Sequence, residues 1–168
     1  ALSSLVREDV QVICLALSVV KNDTDGYPEM ESICRRLEQN GSVIVASYAN
    51  NGQGSYPACF ESVIGVSAAS SLMKAGWIVR GNNIDIIEDV KTELISYKGE
   101  YRMFGNSLAT AVVSGKVANL LSNRHSGDYR EELIQSYVFE YPRMIYNLTQ
   151  QEKNFIEETT AIFINNGE

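Results

Sequence analysis

The segment of this chain best suited to chemistry is Gly105-Asn106-Ser107-Leu108-Ala109-Thr110-Ala111-Val112-Val113-Ser114-Gly115. A glycine permits a tight entry into a helix. The serine two residues on falls where free backbone N–H groups and the positive end of the helix dipole converge. A hydroxyl exposed at such a junction is a candidate nucleophile, and its own N–H can help to hold an oxyanion. Taken alone, Ser107 reads more readily as a helix N-cap. A second segment, Ser42-Val43-Ile44-Val45-Ala46-Ser47-Tyr48-Ala49-Asn50-Asn51-Gly52, is an apolar strand that ends on an asparagine and a glycine turn.

The elements that must position these residues follow from patterning. Val10 to Leu17 is a near-continuous apolar run, which predicts a strand covered on both faces. After an Asp/Asn/Gly/Pro loop, Pro28 opens a helix with Met30, Ile33, Cys34 and Leu37 at helical spacing, and Asn40-Gly41 ends it. Val43 to Ala46 and Ser62 to Ser67 read as further buried strands. Strand, helix, strand with apolar runs predicts a parallel α/β arrangement. Asn83 to Ile87 is a short strand, and Leu94 to Tyr101 a hairpin turning at Lys98-Gly99. Ser107 to about Ser122 is a small-residue, buried helix. The last forty residues predict two more helices, the second opened by the capping box Thr149-Gln150-Gln151-Glu152 and striped by Phe155, Ile156, Thr159, Ile162 and Phe163. The expected organisation is a domain over residues 1–126 with a helical tail, 127–168, packed on it.

Composition narrows the function classes. The chain has 168 residues, enough for one domain with a real core, and a formal net charge of -7 without a Lys/Arg cluster. That argues against nucleic acid as a partner. Val10 to Val20 is too short and interrupted to span a membrane, and it lacks the basic flank of a signal peptide. The three cysteines, Cys14, Cys34 and Cys59, show no metal-ligand spacing and read as small buried hydrophobes in a reducing, cytoplasmic setting; a disulfide stays open. No metal or other cofactor is expected. Asp23, Asp25, Glu29 and Glu31 read as a solvated acidic loop, and Glu88 and Asp89 as loop residues.

Taken together, these segments resemble the subtilisin-like serine peptidases. That family's nucleophile motif, Gly-Thr-Ser-Met-Ala-Thr-Pro-x-Val-x-Gly, is matched here by Gly105, Ser107, Ala109, Thr110, Val113 and Gly115. Its oxyanion segment, Ala-Gly-Asn-x-Gly after an apolar strand, is matched by Ala49-Asn50-Asn51-Gly52. Tyr56-Pro57-Ala58 and Ser62-Val63-Ile64-Gly65-Val66 follow as Tyr-Pro-Ala and Ser-Val-Ile-x-Val do in the family. Asp9 to Ser18 resembles its strand ending in Ser-Leu-Gly. The resemblance runs in order from about Asp9 to Leu121. It implies an incomplete subtilisin-like fold with Ser107 as nucleophile and Asn50, with the Ser107 N–H, as oxyanion donor. Leu17, Ser18, Tyr48 and Ala49 would line the groove that receives a peptide or protein substrate.

The departures are equally informative. The family's aspartate strand and His-Gly-Thr helix precede the strand that opens this chain, and neither Asp-[Ser/Thr]-Gly nor His-Gly occurs here. The single histidine, His125, lies beyond the nucleophile helix, on the order of 20 Å from Ser107 by helical rise. Asn106 stands for the family's Thr, Ala111 for Pro, and Ala49 and Ser18 for Gly, which suggests relaxed constraint. Three readings follow. One is a peptidase portion completed by an Asp/His-bearing polypeptide. Another is a non-catalytic module that binds protein or forms a homodimer. The third is a hydrolase with a rebuilt base, disfavoured because Lys74, Lys91 and Lys98 are poorly placed. The strand at Val10–Leu17 is expected to be an edge that pairs with a second chain or is covered by the tail.

Overall fold

The computed structural model describes residues 2–20, 26–51, 54–70, 74–80, 83–90, 93–96, 99–102, 105–123 and 129–140. A short 3-10 helix, Leu2–Arg7, precedes β1 (Val12–Leu15) and β2 (Val19–Val20). Then come α1 (Tyr27–Gln39), β3 (Val43–Ser47), β4 (Ser55–Tyr56), β5 (Val63–Ala68), β6 (Gly76–Arg80) and β7 (Asn83–Glu88). A hairpin of β8 (Glu93–Ser96) and β9 (Gly99–Arg102) leads to α2 (Asn106–Ser122) and α3 (Tyr129–Glu140).

The central sheet has the order β1-β3-β5-β7-β6. The first four strands are parallel, with Ile13 beside Ile44, Ile44 beside Val63 and Val66 beside Ile86. β6 runs antiparallel along β7, Trp77 beside Ile86. The α/β reading of the sequence is therefore correct, and patterning missed β6 in this sheet and the two-residue strands β2 and β4 outside it. The family of strands buries two faces. Val43, Val45, Ile64, Val66, Ile84 and Ile86 face α2 and α3, where Ala109, Val113, Val117 and Leu133 meet them. Ile13, Ile44, Ala46 and Val63 face α1 with Cys34, Leu37, Tyr56 and Phe60.

Each helix forms for an identifiable reason. α1 takes Pro28 in its first turn, and its last carbonyls, on Leu37 and Glu38, accept the N–H groups of Ser42 and Gly41. On its inner face α2 meets the sheet through small residues, Ala109, Val113 and Val117, with Leu120 and Leu121 packing at its last turn. The buried hydroxyls on that face bond back within the helix, Thr110 Oγ1 to the Asn106 carbonyl and Ser114 Oγ to the Thr110 carbonyl, both at 2.7 Å. α3 is tied across the molecule by Arg130, whose guanidinium lies 3.0 Å from the Glu38 carboxylate. The Thr149 capping box and the apolar stripe behind it lie outside the described residues, as do His125, Asp23, Asp25, Lys91 and Lys98.

Two expectations need correcting. The opening apolar run is a strand of four residues, and among the described residues it is the outer strand of the sheet. With one side neighbour and partial cover, it buries Ile13 while Cys14, Ala16 and Leu17 are exposed. Cys14 is therefore a surface thiol, whereas Cys34 is buried, Cys59 is half-buried, and none of the three is in a disulfide. Glu88, expected in a loop, closes β7 and is buried at 3% exposure. A carboxylate there needs a counter-charge, and Lys116 supplies it from α2 at 3.0 Å.

Candidate active site

The carboxyl ends of the parallel strands β1, β3 and β5 converge on the first turn of α2. Gly105, immediately before α2, has φ +113 and ψ 169, a conformation that essentially only glycine adopts. A Cβ at this position would also sit 3.4 Å from Asn50 Oδ1. The glycine thus lets the chain turn sharply into the helix while the Asn50 side chain lies against it. Leu108 and Ala109 both donate to the Gly105 carbonyl at 3.2 Å, which starts the helical bonding. The N–H groups of Asn106 and Ser107 precede that pattern, so the helix itself offers them no carbonyl.

Asn50 is exposed and follows β3. The N–H of Asn106 meets its carboxamide at 3.1 Å. An N–H can be met only by the oxygen, so Oδ1 is committed to the helix and the NH2 end remains a donor. Asn50 and Ser107, 57 positions apart in the chain, are in this way brought to one helix terminus.

The rest of the Tyr48–Asn50 corner is held from all sides. Tyr48 N–H donates to the Val66 carbonyl at 2.9 Å, and its hydroxyl donates to Asp85 Oδ2 at 2.8 Å. The other oxygen of Asp85 accepts the Gly65 N–H at 3.1 Å. The Tyr48 ring lies over Gly65, where a Cβ would overlap Tyr48 Cε2 and approach Asp85 Oδ1 to 2.7 Å. Ala49 N–H donates to the buried Ser55 hydroxyl at 2.8 Å. Asn106 completes the frame. Its Nδ2 donates to the Tyr48 and Ala49 carbonyls at 2.9 and 3.3 Å, and its Oδ1 accepts the Ala68 N–H at 2.8 Å. A position read from sequence as relaxed is thus engaged at every polar group of its side chain.

Ser107 is exposed, and its hydroxyl donates to the Ala16 carbonyl at 3.0 Å, just past β1. A backbone carbonyl can accept a hydrogen bond but cannot take a proton at any ordinary pH. The serine is therefore presented but not activated by its contacts among the described residues. Of the residues expected to line a substrate groove, Leu17 is 56% exposed and Ser18 half-buried. Tyr48 and Ala49 are buried at 4% and 7%, and Asn106 occupies both of their carbonyls. Those two contribute to the site through the backbone they fix. Among the described residues no group of His, Cys, Asp and Glu could hold a metal ion.

The profile of the subtilase family, peptidase S8, matches residues 1–141. The chain belongs to the subtilase family. That match takes in the whole sheet, α2, the Asn50 corner and α3. Comparison with curated protein sequences finds no match. Among solved structures, the prenylagaramide maturation protease PagA superposes with a TM-score of 0.51 at 18% identity, over 79% of this chain and 53% of that one. A serine-to-alanine mutant of the protease domain of PatA gives 0.49 at 17% identity, over 79% and 52%. The chain spans about half the length of these structures. The likeness to PagA shows the subtilisin-like fold. No helix among the described residues is long and apolar enough to cross a membrane.

Proposed function

We propose that these residues are the nucleophile-bearing portion of a subtilisin-like serine peptidase, active when a complementary segment supplies the aspartate and histidine. The observation that carries this reading is the Asn50 carboxamide, locked by its oxygen against the N–H that immediately precedes Ser107. In it, Ser107 Oγ attacks a peptide carbonyl and its proton passes to the supplied imidazole. The oxyanion is met by the NH2 end of Asn50 and by the Ser107 N–H. The imidazole then returns its proton to the leaving amine, and water resolves the acyl-serine. A substrate strand would run past exposed Leu17 and half-buried Ser18.

A second reading, a non-catalytic subtilase-like module that binds protein, is favoured by one observation: the Ser107 hydroxyl is turned to the Ala16 carbonyl. A fluorophosphonate probe separates the two. The chain alone is expected to label weakly or not at all, because an unactivated serine is a poor nucleophile. Addition of an Asp/His-bearing subtilase segment should bring stoichiometric labelling that Ser107→Ala abolishes. Persistent silence of the assembled pair would favour the binding module. Strong labelling of the chain alone would mean that it holds its own base.

A further inference from the structure

We propose that Asn106 is the positioning residue of the Ser107 site, clamping the oxyanion donor Asn50 to the nucleophile helix. The inference rests on the reading of Asn50 as that donor. Its basis is the number of separate segments one side chain joins. Through Nδ2, Asn106 grips the carbonyls of Tyr48 and Ala49 at the end of β3; through Oδ1 it grips the N–H of Ala68 at the end of β5. Its own N–H, fixed by that grip, meets Asn50 Oδ1.

Two consequences follow. The separation between the Asn50 corner and the first turn of α2 is set by a rigid, planar carboxamide and not by loop packing. The rotation of the Asn50 side chain is also set, since its oxygen has a fixed donor and its NH2 end is thereby left to donate beside the helix start. An oxyanion donor contributes by being aimed before the charge develops, so removing the clamp should weaken the donor without removing it. Shorter side chains cannot do the same: a hydroxyl at position 106 reaches one of the three partners at a time.

The test uses the 168-residue chain labelled with ¹⁵N. In the parent protein the Asn50 side-chain NH2 should be as ordered as rigid backbone, with an order parameter near 0.8, although the residue is exposed. In Asn106→Ala it should fall below about 0.6, with the backbone order of α2 beyond its first turn unchanged. Asn106→Ser, which retains one contact, should fall between them and serves where the alanine variant does not fold. A parent Asn50 carboxamide as mobile as an exposed asparagine overturns the proposal, as does an equally ordered one in either folded variant. In the complemented enzyme, Asn106→Ala should lower kcat with little change in KM, and should add almost nothing once Asn50 is Ala. Losses that add in full would also overturn it. An assembly that never labels at Ser107 removes the catalytic reading, while the side-chain order measurements still decide the clamp.

Discussion

The Asn50 corner and the outer edge at β1 both meet the first turn of α2, yet they are built to different standards. At the corner, Tyr48, Ala49 and Asn50 are bound by Val66, Asp85, Ser55 and Asn106, and the core beneath them is closed. At the edge, among the described residues, β1 has one strand neighbour, Leu17 is exposed, and the serine hydroxyl donates to a backbone carbonyl. The difference teaches that, on the proposed reading, the anion-stabilising half of the chemistry is the half whose polar contacts lie within the described residues. On the same reading, the proton-accepting half would come from a segment set against β1. An anion donor can be preorganised by local hydrogen bonds alone, whereas a general base is a specific titratable side chain, and the partner that the Ser107 hydroxyl meets among the described residues is a backbone carbonyl.

The largest effect should come from completing the edge. With an Asp/His-bearing segment present, peptide turnover should appear, and in subtilisin itself loss of the histidine costs about 10⁶ in kcat. In that assembly Asn50→Ala should cost about 10²–10³, the loss seen when subtilisin's own asparagine donor is removed. A complemented enzyme indifferent to Asn50→Ala would break the comparison, because the corner would then be scaffold only.

The corner should also dominate stability. Gly65→Ala forces a methyl into the Tyr48 ring and Asp85, and overpacking of this kind costs about 1–3 kcal/mol. Cys14→Ala, on the exposed side of β1, should stay within about 0.5 kcal/mol. Urea unfolding of both variants checks the pair. Equal losses would mean that the edge is as tightly built as the corner.

An open strand edge recruits other chains unless a charge blocks it. Cys14→Lys should therefore shift the chain toward monomer in sedimentation or light scattering, with little change in unfolding midpoint. A parent chain that is already monomeric at high concentration would show that β1 is covered, and the complement would then need to displace that cover.

Much of this was legible in the sequence because it depends on local pattern. Continuous apolar runs at Val43 and Val63 read as buried strands, and Gly105-x-Ser107 before small residues as the start of a packed helix. The meeting of Asn50 and Ser107 came from motif order, and in the structure Asn50 lies against the N–H that precedes Ser107. What pattern could not reveal was long-range polar pairing. Nothing near Asn106 in sequence announces partners at Ala68, Tyr48 and Ala49, and nothing near Glu88 announces Lys116. Likewise, Cys14 sits among apolar residues, but its exposure depends on β1 being outermost, which is a property of the whole sheet.

The smallest effect concerns the thiols, and it distinguishes edge from interior without relying on activity. Cys34 lies fully buried on the inner face of α1, and burial, reinforced by the Glu31 carboxylate, pushes its thiol up to about 11. The thiolate is the reactive form, so at pH 8 roughly 0.1% of Cys34 would be ionised even if a reagent could reach it. Cys14 is exposed and should be alkylated first, as mass spectrometry of timed iodoacetamide reactions would show. The sign follows from the shift. Below the ordinary cysteine range both folded and unfolded Cys34 are protonated. Above it the unfolded thiol ionises while the folded one does not, so this group favours unfolding increasingly as pH rises from about 9 toward 11. Alkylation of Cys34 should therefore require global opening, and its rate should track denaturant while that of Cys14 does not. Cys34 reacting as fast as Cys14 in native buffer would show that α1 opens locally, and the contrast between a closed interior and an open edge would then lose its physical basis.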